Sequence, residues 1–233
     1  MTRFGSPALV LVHGAWHGPD MWTKLIDELP EIDVRNVGLP SSGNVVSQLG
    51  DLYADARTVR SAVESVDGPV VVAAASYGGA VVTEALAGVD AVKRLIYINA
   101  FQLEIGQSIL GACNGVPQEW WRVHDTEGYV DVVRGKEIFY NDVDAESAER
   151  ANGALRLQSY ASFVQPVTQA AWLTIPSSYV IGERDAAIPV GAQEFMAGRA
   201  HRTWRLDAGH SPFLSRPAEI AGILREEMAN AVA

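Results

Sequence analysis

The amino-acid sequence predicts an α/β fold with a mainly parallel sheet of about six strands. Short apolar runs rich in Val and Ile alternate with longer segments in which apolar residues have helical spacing. Two of the runs, PALVLVH and PVVVAAA, are largely uninterrupted, which is typical of strands buried on both faces. Alternation of strands and helices indicates strand–helix–strand units, and these place neighbouring strands parallel to each other.

Six segments have the length and composition of strands. The first and third are the two apolar runs, and the second ends at PSSG, a sequence typical of turns. The fourth, fifth and sixth contain KRLIYINA, SSYVIG and RTWRLD. The predicted strands cover residues 7–13, 32–39, 69–75, 93–100, 177–182 and 202–207.

Helical spacing of apolar residues predicts five helices in the same regions of the chain. The longest places six apolar side chains on one face: Leu49, Leu52, Ala56, Val59, Val63 and Val66. The last one is amphipathic and closes the chain. The predicted helices cover residues 19–29, 45–66, 78–89, 190–200 and 217–232.

Residues 101–173 interrupt the alternation of strands and helices. This segment is rich in aromatic residues and has a mostly helical, acidic character. We therefore expect a helical cap inserted over one edge of the sheet. The core then consists of residues 1–100 and 174–233, and core and cap form a single structural domain, which suits a chain of 233 residues.

The composition argues against several classes of partner. A formal net charge of −10 disfavours binding to nucleic acids or anionic membranes, because both require a basic patch. No apolar run approaches the roughly 20 residues of a membrane-spanning helix. The start of the chain has no cleavable leader pattern, so we expect a cytoplasmic protein. Cys113 is the only cysteine, which excludes an intrachain disulfide and a cysteine-based metal site.

Three polar residues follow predicted strands, where ligands of parallel sheets bind. Ser76 follows the third strand, Asp185 the fifth and His210 the sixth. A histidine can take the proton of a serine hydroxyl during nucleophilic attack, and a carboxylate orients that histidine and stabilises its protonated form. The order Ser, Asp, His along the chain is that of the hydrolase triad found on α/β sheets.

Each of these residues also has a simpler interpretation. A serine before a helix is commonly only a helix cap. Glu183 and Asp207 are rivals of Asp185 for the acid position. Asp185 is preferred because it lies just past the strand end, whereas Asp207 is too close in sequence to His210. Asn99, after the fourth strand, occupies another acid position but carries no charge.

A tetrahedral oxyanion requires preorganised donors, usually two backbone N–H groups. One is expected from Tyr77, the residue after the serine, at the start of a helix. The other is expected from Ala15 in the loop HGAWHG. Gly78 and Gly79 let strand and helix pass closely, and Ala74 replaces the first glycine of the usual G-x-S-x-G pattern.

The segments LVHGAWHGPDMW, AASYGGAVV, VIGERD and AGHSPF together resemble the α/β-hydrolase superfamily. The resemblance is to its small serine esterases, related to plant methylesterases, hydroxynitrile lyases and bacterial carboxylesterases. It implies an α/β-hydrolase fold with Ser76 as nucleophile, His210 as base and Asp185 as acid. It also implies an oxyanion hole formed by Ala15 and Tyr77.

By this resemblance we expect a serine esterase that acts on a small to medium, largely apolar carboxylic ester or lactone through an acyl-enzyme. Gly14, Trp16, Trp120 and His124 are the candidate substrate contacts. Because Trp120 and its neighbour Trp121 cannot face the same way on a helix, at most one is expected to reach the pocket. We expect neither a metal nor a cofactor.

Other functions on this fold stay open. One is a binding protein with little turnover, which is suggested by Ala75 where related esterases often carry histidine. Another is a hydrolase of C–C or C–N bonds. Hydroxynitrile lyase activity is disfavoured, because Gly14 and Ser211 stand where lyases of this kind carry a hydroxyl and a lysine.

Overall fold

The strands form two sheets in the computed structural model, which describes residues 6–231. They are β1 (Ala8–Val12), β2 (Val34–Val37), β3 (Ser42–Gly43), β4 (Val70–Ala75), β5 (Val92–Ile98), β6 (Trp121–His124), β7 (Tyr129–Val132), β8 (Leu157–Ser159), β9 (Ser177–Gly182) and β10 (Arg202–Leu206). The larger sheet has the order β10-β9-β5-β4-β1-β2, and all its pairs are parallel. This confirms the predicted parallel sheet of six strands.

Helices of the core flank this sheet, and further helices lie in the insertion at 101–173. They are α1 (Thr23–Asp27), α2 (Leu52–Glu64), α3 (Gly78–Ala85), α4 (Ile109–Ala112), α5 (Gly135–Phe139), α6 (Ala145–Gly153), α7 (Ala161–Val164), α8 (Val190–Ala197), α9 (Pro212–Ser215) and α10 (Pro217–Asn230). Short 3-10 turns cover Pro19–Trp22, Val46–Gln48 and Ala171–Leu173. The predicted end of the last helix at Val232 lies outside the described residues.

The single helix predicted over 45–66 is wrong at its start. A 3-10 turn at Val46–Gln48 ends before Gly50, and α2 begins only at Leu52. Asp51 caps α2, because its side chain accepts a hydrogen bond from the N–H of Ala54. Because the apolar spacing continues across this boundary, periodicity alone does not reveal that a new helix begins after Asp51.

The sheet is buried on both faces, as the apolar runs predict. Every residue of β1 and β4 is buried. Along β1, alternate side chains belong to two core clusters: Leu9 and Leu11 pack with Trp22, while Val10 lies in the cluster on the other face. This packing on both faces holds the central strands, and therefore their carboxyl ends, in fixed positions.

The insertion at 101–173 contains strands in addition to the expected helices. It holds α4, α5, α6 and α7, and also β6, β7 and β8. These three strands and β3 form a small antiparallel sheet of order β3-β8-β7-β6. The apolar and β-branched segments WRVH and YVDV meet at a turn with Gly128 at φ 79°, so they form a hairpin that the helical prediction lacked.

Strand β3 belongs to the core segment and pairs with β8 of the insertion, with Ser42 opposite Gln158. The cap is therefore attached to the core by backbone hydrogen bonds as well as by its two chain connections. Within residues 6–231, no helix combines the length and apolarity required to cross a membrane.

Candidate active site

Ser76 lies on a strained turn between β4 and α3. Its φ is 51°, in the left-handed region that residues other than glycine rarely adopt. The backbone holds it there: its N–H donates to the carbonyl of Ile98 at 3.3 Å, and its carbonyl accepts from Gly79 and Phe101, both at 3.0 Å. The half-buried side chain therefore has a fixed origin at the carboxyl edge of the sheet.

Two glycines make this turn sterically possible. A Cβ at Gly78 would lie 2.6 Å from the carbonyl oxygen of His13, and one at Gly79 would lie 2.8 Å from that of Phe101. Real Cβ atoms essentially never make non-bonded contacts this short, so a larger residue at either position would force the helix away from the strands. Ala74, in place of the usual first glycine, is fully buried within β4, so its methyl group is accommodated.

His210 and Asp185 form a buried pair. Nδ1 of His210 lies 3.0 and 2.9 Å from the two carboxylate oxygens of Asp185. The same carboxylate accepts hydrogen bonds from the N–H groups of Ala187 and Ile188 and from Nε2 of Gln193. Nδ1 is therefore the proton-bearing nitrogen, which leaves Nε2 free to accept a proton.

The rival carboxylates bind elsewhere. Glu183 pairs with Arg205 at 2.9 Å, and Asp207 pairs with Arg184 at 2.7 Å, both at the surface. Of the three carboxylates, Asp185 is therefore the one that pairs with His210.

Asn99 connects the end of β5 to the histidine loop. It follows β5, which lies between β4 and β9, and its Nδ2 donates to the carbonyl of Gly209 at 2.8 Å. Within residues 6–231, the Oγ of Ser76 makes no hydrogen bond to His210. In hydrolases this contact commonly tightens only when substrate is bound.

The loop after β1 is held by two buried histidines. Nε2 of His13 accepts from the N–H of Leu39 at 3.0 Å, so Nδ1 carries the proton that is donated to the carbonyl of Gly14 at 2.8 Å. Burial lowers the pKa of His13 to about 4, so the ring is neutral near pH 7. This contact fixes the peptide unit that contains the N–H of Ala15.

His17 fixes the next peptide unit. Its Nδ1 lies 2.7 Å from the carbonyl of Ala15, and its Nε2 lies 2.8 Å from the hydroxyl of Tyr140. Burial lowers the pKa of His17 to about 4, so the neutral ring donates to Ala15 and accepts from Tyr140. The N–H of the same peptide unit, on Trp16, donates to Oε1 of Gln158 at 3.1 Å.

Both peptide units that flank Ala15 are therefore fixed in direction. Within the described part of the chain, the N–H groups of Ala15 and Tyr77 make no hydrogen bond. Gly14 brings the loop against the serine, because a Cβ there would lie 3.0 Å from the Cβ of Ser76. Two unengaged backbone donors thus belong to the segments that meet at Ser76.

Trp16 is the centre of an aromatic cluster formed by Trp16, Trp120, Trp121, Phe139 and Phe163. Its ring centroid lies 5.4 Å from that of Trp120, 6.1 Å from Trp121, 5.7 Å from Phe139 and 5.2 Å from Phe163. All five side chains are buried. This cluster reaches the base, because the ring of Phe139 lies 5.5 Å from that of His210.

Two expectations about substrate contacts need correction. Trp120 and Trp121 both contact Trp16. Trp120 precedes strand β6 and Trp121 begins it, so the helix assumed for this pair does not exist. His124 lies at the other end of β6, where it stacks on Tyr129 at 4.2 Å and approaches Asp131 at 3.4 Å. Neither contact belongs to the aromatic cluster, so the structure does not bring His124 together with the site.

A cavity of about 210 Å³ lies beside the loop after β1, between the Pro19–Trp22 turn and α6. Its lining includes His17, Tyr140 and Phe213 but not Ser76, Asp185 or His210. Among residues 6–231, no group of three His, Cys, Asp or Glu side chains is arranged to hold a metal ion.

Comparison with known proteins identifies the family. A model described as the alpha/beta hydrolase family matches residues 9–223. The chain belongs to the alpha/beta hydrolase family. This alpha/beta hydrolase is 29% identical over 246 residues to the alpha/beta hydrolase nvfD of Aspergillus novofumigatus, covering 97% of this chain and 98% of the relative. It is 26% identical over 254 residues to methylesterase 18 of Arabidopsis thaliana, covering 91% and 93%.

Solved structures of the same fold agree with this assignment. A pyrethroid hydrolase from Sphingobium faniae JZ-2 superposes with a TM-score of 0.83 at 20% identity, covering 96% of this alpha/beta hydrolase and 97% of that chain. Polyneuridine aldehyde esterase gives a TM-score of 0.82 at 17% identity, covering 95% and 99%. These structures confirm the fold, and the match to methylesterase 18 confirms the predicted resemblance to an esterase branch of the family.

Proposed function

We propose that this hydrolase cleaves a carboxylic ester or lactone through an acyl-enzyme, with Ser76 as nucleophile, His210 as base and Asp185 as the acid that orients it. One observation carries the proposal. Ser76 is held at φ 51° at the carboxyl edge of the sheet that also carries the buried His210–Asp185 pair. Relatives named as esterases support the same chemistry.

The proposed reaction uses the free nitrogen of His210. Oγ of Ser76 bonds to the carbonyl carbon of the substrate while its proton moves to Nε2, and Asp185 stabilises the imidazolium. The negative charge on the carbonyl oxygen is taken by the N–H groups of Ala15 and Tyr77. The imidazolium then gives its proton to the leaving alcohol. Water then gives a proton to His210 and bonds to the acyl carbon. The bond from that carbon to Oγ breaks as the imidazolium returns the proton to Ser76, and the acid is released.

The aromatic cluster indicates the substrate class. Trp16 follows the proposed donor Ala15 directly, and Phe139 contacts His210, so the substrate meets apolar rings beside the reacting carbonyl. An ester with apolar or aromatic acyl and alcohol parts suits such surroundings, because charged groups would lose their hydration there. The expected cytoplasmic location stays a prediction from the sequence.

The test combines covalent labelling with turnover. A fluorophosphonate probe is expected to label the wild type at Ser76, and p-nitrophenyl esters of increasing chain length are expected to be hydrolysed. Ser76→Ala is expected to abolish both reactions while retaining the circular dichroism of the wild type. Full turnover by Ser76→Ala would overturn the mechanism. Binding of esters without labelling or turnover would instead indicate a binding protein on this fold.

A further inference from the structure

Asp55 is a buried carboxylate that the proposed triad does not use. It lies on α2, is fully buried, and accepts three hydrogen bonds. The N–H of Ser41 donates at 2.8 Å, the hydroxyl of Ser41 at 2.5 Å and the hydroxyl of Tyr77 at 2.7 Å. Within residues 6–231, no cation forms an ion pair with it. A buried carboxylate without a cation is costly, and three neutral donors offset part of that cost.

One of these bonds leads directly to the nucleophile. Tyr77 follows Ser76, and its backbone N–H is one of the two proposed oxyanion donors. Its buried ring packs against Phe163, at a centroid distance of 5.9 Å, and its hydroxyl is anchored on Asp55. The side chain of Tyr77 is thus fixed at both its ring and its hydroxyl.

The other bonds lead to the loop after β1. The hydroxyl of Ser41 accepts a hydrogen bond from Nε2 of Gln158 at 2.8 Å. Oε1 of the same amide accepts from the N–H of Trp16 at 3.1 Å. That N–H belongs to the peptide unit that follows Ala15, the other proposed donor. Ser41 and Gln158 therefore connect Asp55 to the peptide unit next to the second proposed donor.

We propose that Asp55 is a positioning residue for the oxyanion hole: its ionised carboxylate holds Tyr77 directly and the Ala15–Trp16 peptide through Ser41 and Gln158, so that both donors face one point. The inference rests on the proposed function, because it assigns a task to a residue that does not touch the substrate. It adds a link between a core helix, the nucleophile and the cap.

The protonation state of Asp55 is part of this arrangement. Burial raises its pKa to about 6, while the bonds from Ser41 and Tyr77 lower it and the charge of Asp51 raises it further. Burial also raises the pKa of Tyr77 well above its ordinary value, so this hydroxyl stays a donor. When Asp55 takes up a proton, its new O–H faces three donors, and the incoming hydrogen bonds lose the negative charge that strengthens them.

Asp55→Asn tests the proposal, because asparagine has the shape of the acid but lacks the charge. We expect kcat to fall about 10-fold to 100-fold with KM nearly unchanged, less than the loss of about 10²–10³ seen when an oxyanion donor is removed outright. Tyr77→Phe, which removes only the direct bond, is expected to lower kcat about 10-fold. The effects of the two variants are expected to be less than additive when combined.

The pH profile separates positioning from a merely structural role. Protonation of Asp55, whose pKa is about 6, is expected to steepen the acid limb of log kcat/KM of the wild type below pH 6. Asp55→Asn has no such ionisation, so its acid limb is expected to be shallower. A destabilised but correctly arranged site would retain the steeper limb.

Glu227→Gln is the matched control. Glu227 is also fully buried and bonds to Ser178, Trp204 and Arg94, at 2.7, 2.8 and 3.0 Å. Ser178 and Arg94 lie near the amino ends of β9 and β5, at the edge of the sheet opposite the site. This variant is expected to lose stability with unchanged kcat and an unchanged acid limb.

Several results would overturn the positioning role: wild-type kcat in Asp55→Asn, a change in KM alone, or an acid limb of the wild-type slope. If Asp55→Asn does not fold, Tyr77→Phe and Ser41→Ala decide, and wild-type kcat in both overturns the role. Failure of the proposed function is distinct, because Ser76→Ala would then retain turnover. An inactive Ser76→Ala beside a fully active Asp55→Asn would remove only the positioning role.

Discussion

The two sides of the site are built in different ways. On the base side, the partners of Asp185 are Ala187, Ile188 and Gln193, all within eight residues, and His210 lies 25 residues away. On the oxyanion side, Trp16 is held by Gln158 and His17 by Tyr140, across 142 and 123 positions of the chain. The hydrogen bonds of the base side lie within the core, whereas those of the oxyanion side also reach the cap.

Substitution of a triad residue is expected to give the largest fall in kcat. Ser76→Ala and His210→Ala should each lower kcat by roughly 10⁴-fold or more, because a triad acts as a unit. The measurement is ester turnover, with the melting temperature as control. Since Ser76 is strained at φ 51°, Ser76→Gly is expected to raise the melting temperature while it removes activity. Activity within tenfold of wild type in His210→Ala would contradict the assignment.

The oxyanion side is expected to respond to a change in the cap. Gln158→Ala removes the partner of Trp16 and the bonds to Ser41 and Ser162, so kcat should fall about 10-fold to 100-fold. Gln165→Ala is the matched control, because Gln165 also joins the cap to α2, through Leu52, without contact to the loop after β1. Equal losses of kcat in the two variants would contradict the asymmetry between the two sides.

The oxyanion side should also be sensitive to acid. The pKa of His17 is lowered from its ordinary 6.5 to about 4, so between these values the unfolded chain binds a proton that the folded protein does not. Stability is therefore full above pH 6.5 and is lost as the pH falls towards 4, by about 3 kcal/mol for this residue. Urea unfolding at pH 4, 5 and 7 measures this.

His17→Gln supplies the control for that measurement. It retains a donor for Ala15 but has no ionisation, so its unfolding free energy is expected to change less between pH 7 and 4 than that of the wild type. An identical pH dependence in both proteins would show that the pKa of His17 does not change on folding.

The smallest effect on kcat is expected at Tyr140, which contacts the loop after β1 through His17. Tyr140→Phe removes the hydroxyl that donates to His17, at 2.8 Å, but leaves the contact of His17 with Ala15. We expect a loss of about 1 kcal/mol in stability and less than a 10-fold fall in kcat. A larger fall than in Gln158→Ala would show that the loop is held chiefly through His17.

The base side could be predicted from the sequence because its information is local. Uninterrupted apolar runs predict the central strands, and polar residues directly after them predict what meets at the sheet edge. The choice of Asp185 over Asp207 followed from its distance along the chain to His210, and the structure pairs Asp185 with that histidine.

On the oxyanion side, the sequence predicts Ala15 and Tyr77 as the donors but not the residues that hold them in place. Gln158 is an ordinary polar residue in a segment assumed to be helical, and its role arises from contacts with Trp16 and Ser41. Asp55 did leave a signal: it stands three residues after Leu52 and four before Val59, on the face of α2 that is otherwise apolar. A carboxylate on a buried face indicates hydrogen-bond partners, but the sequence does not show which ones.

The pairing of β3 with β8 has a consequence for engineering. Beside this two-residue ladder, the N–H of Arg156 donates to the carbonyl of Trp16, and that of Ser159 donates to the carbonyl of Ser41. The insertion is therefore no interchangeable module. In a chimera that receives the cap of another hydrolase, different residues would bond to the loop after β1. Recombination within this family should succeed only where the graft carries β3 and β8 together.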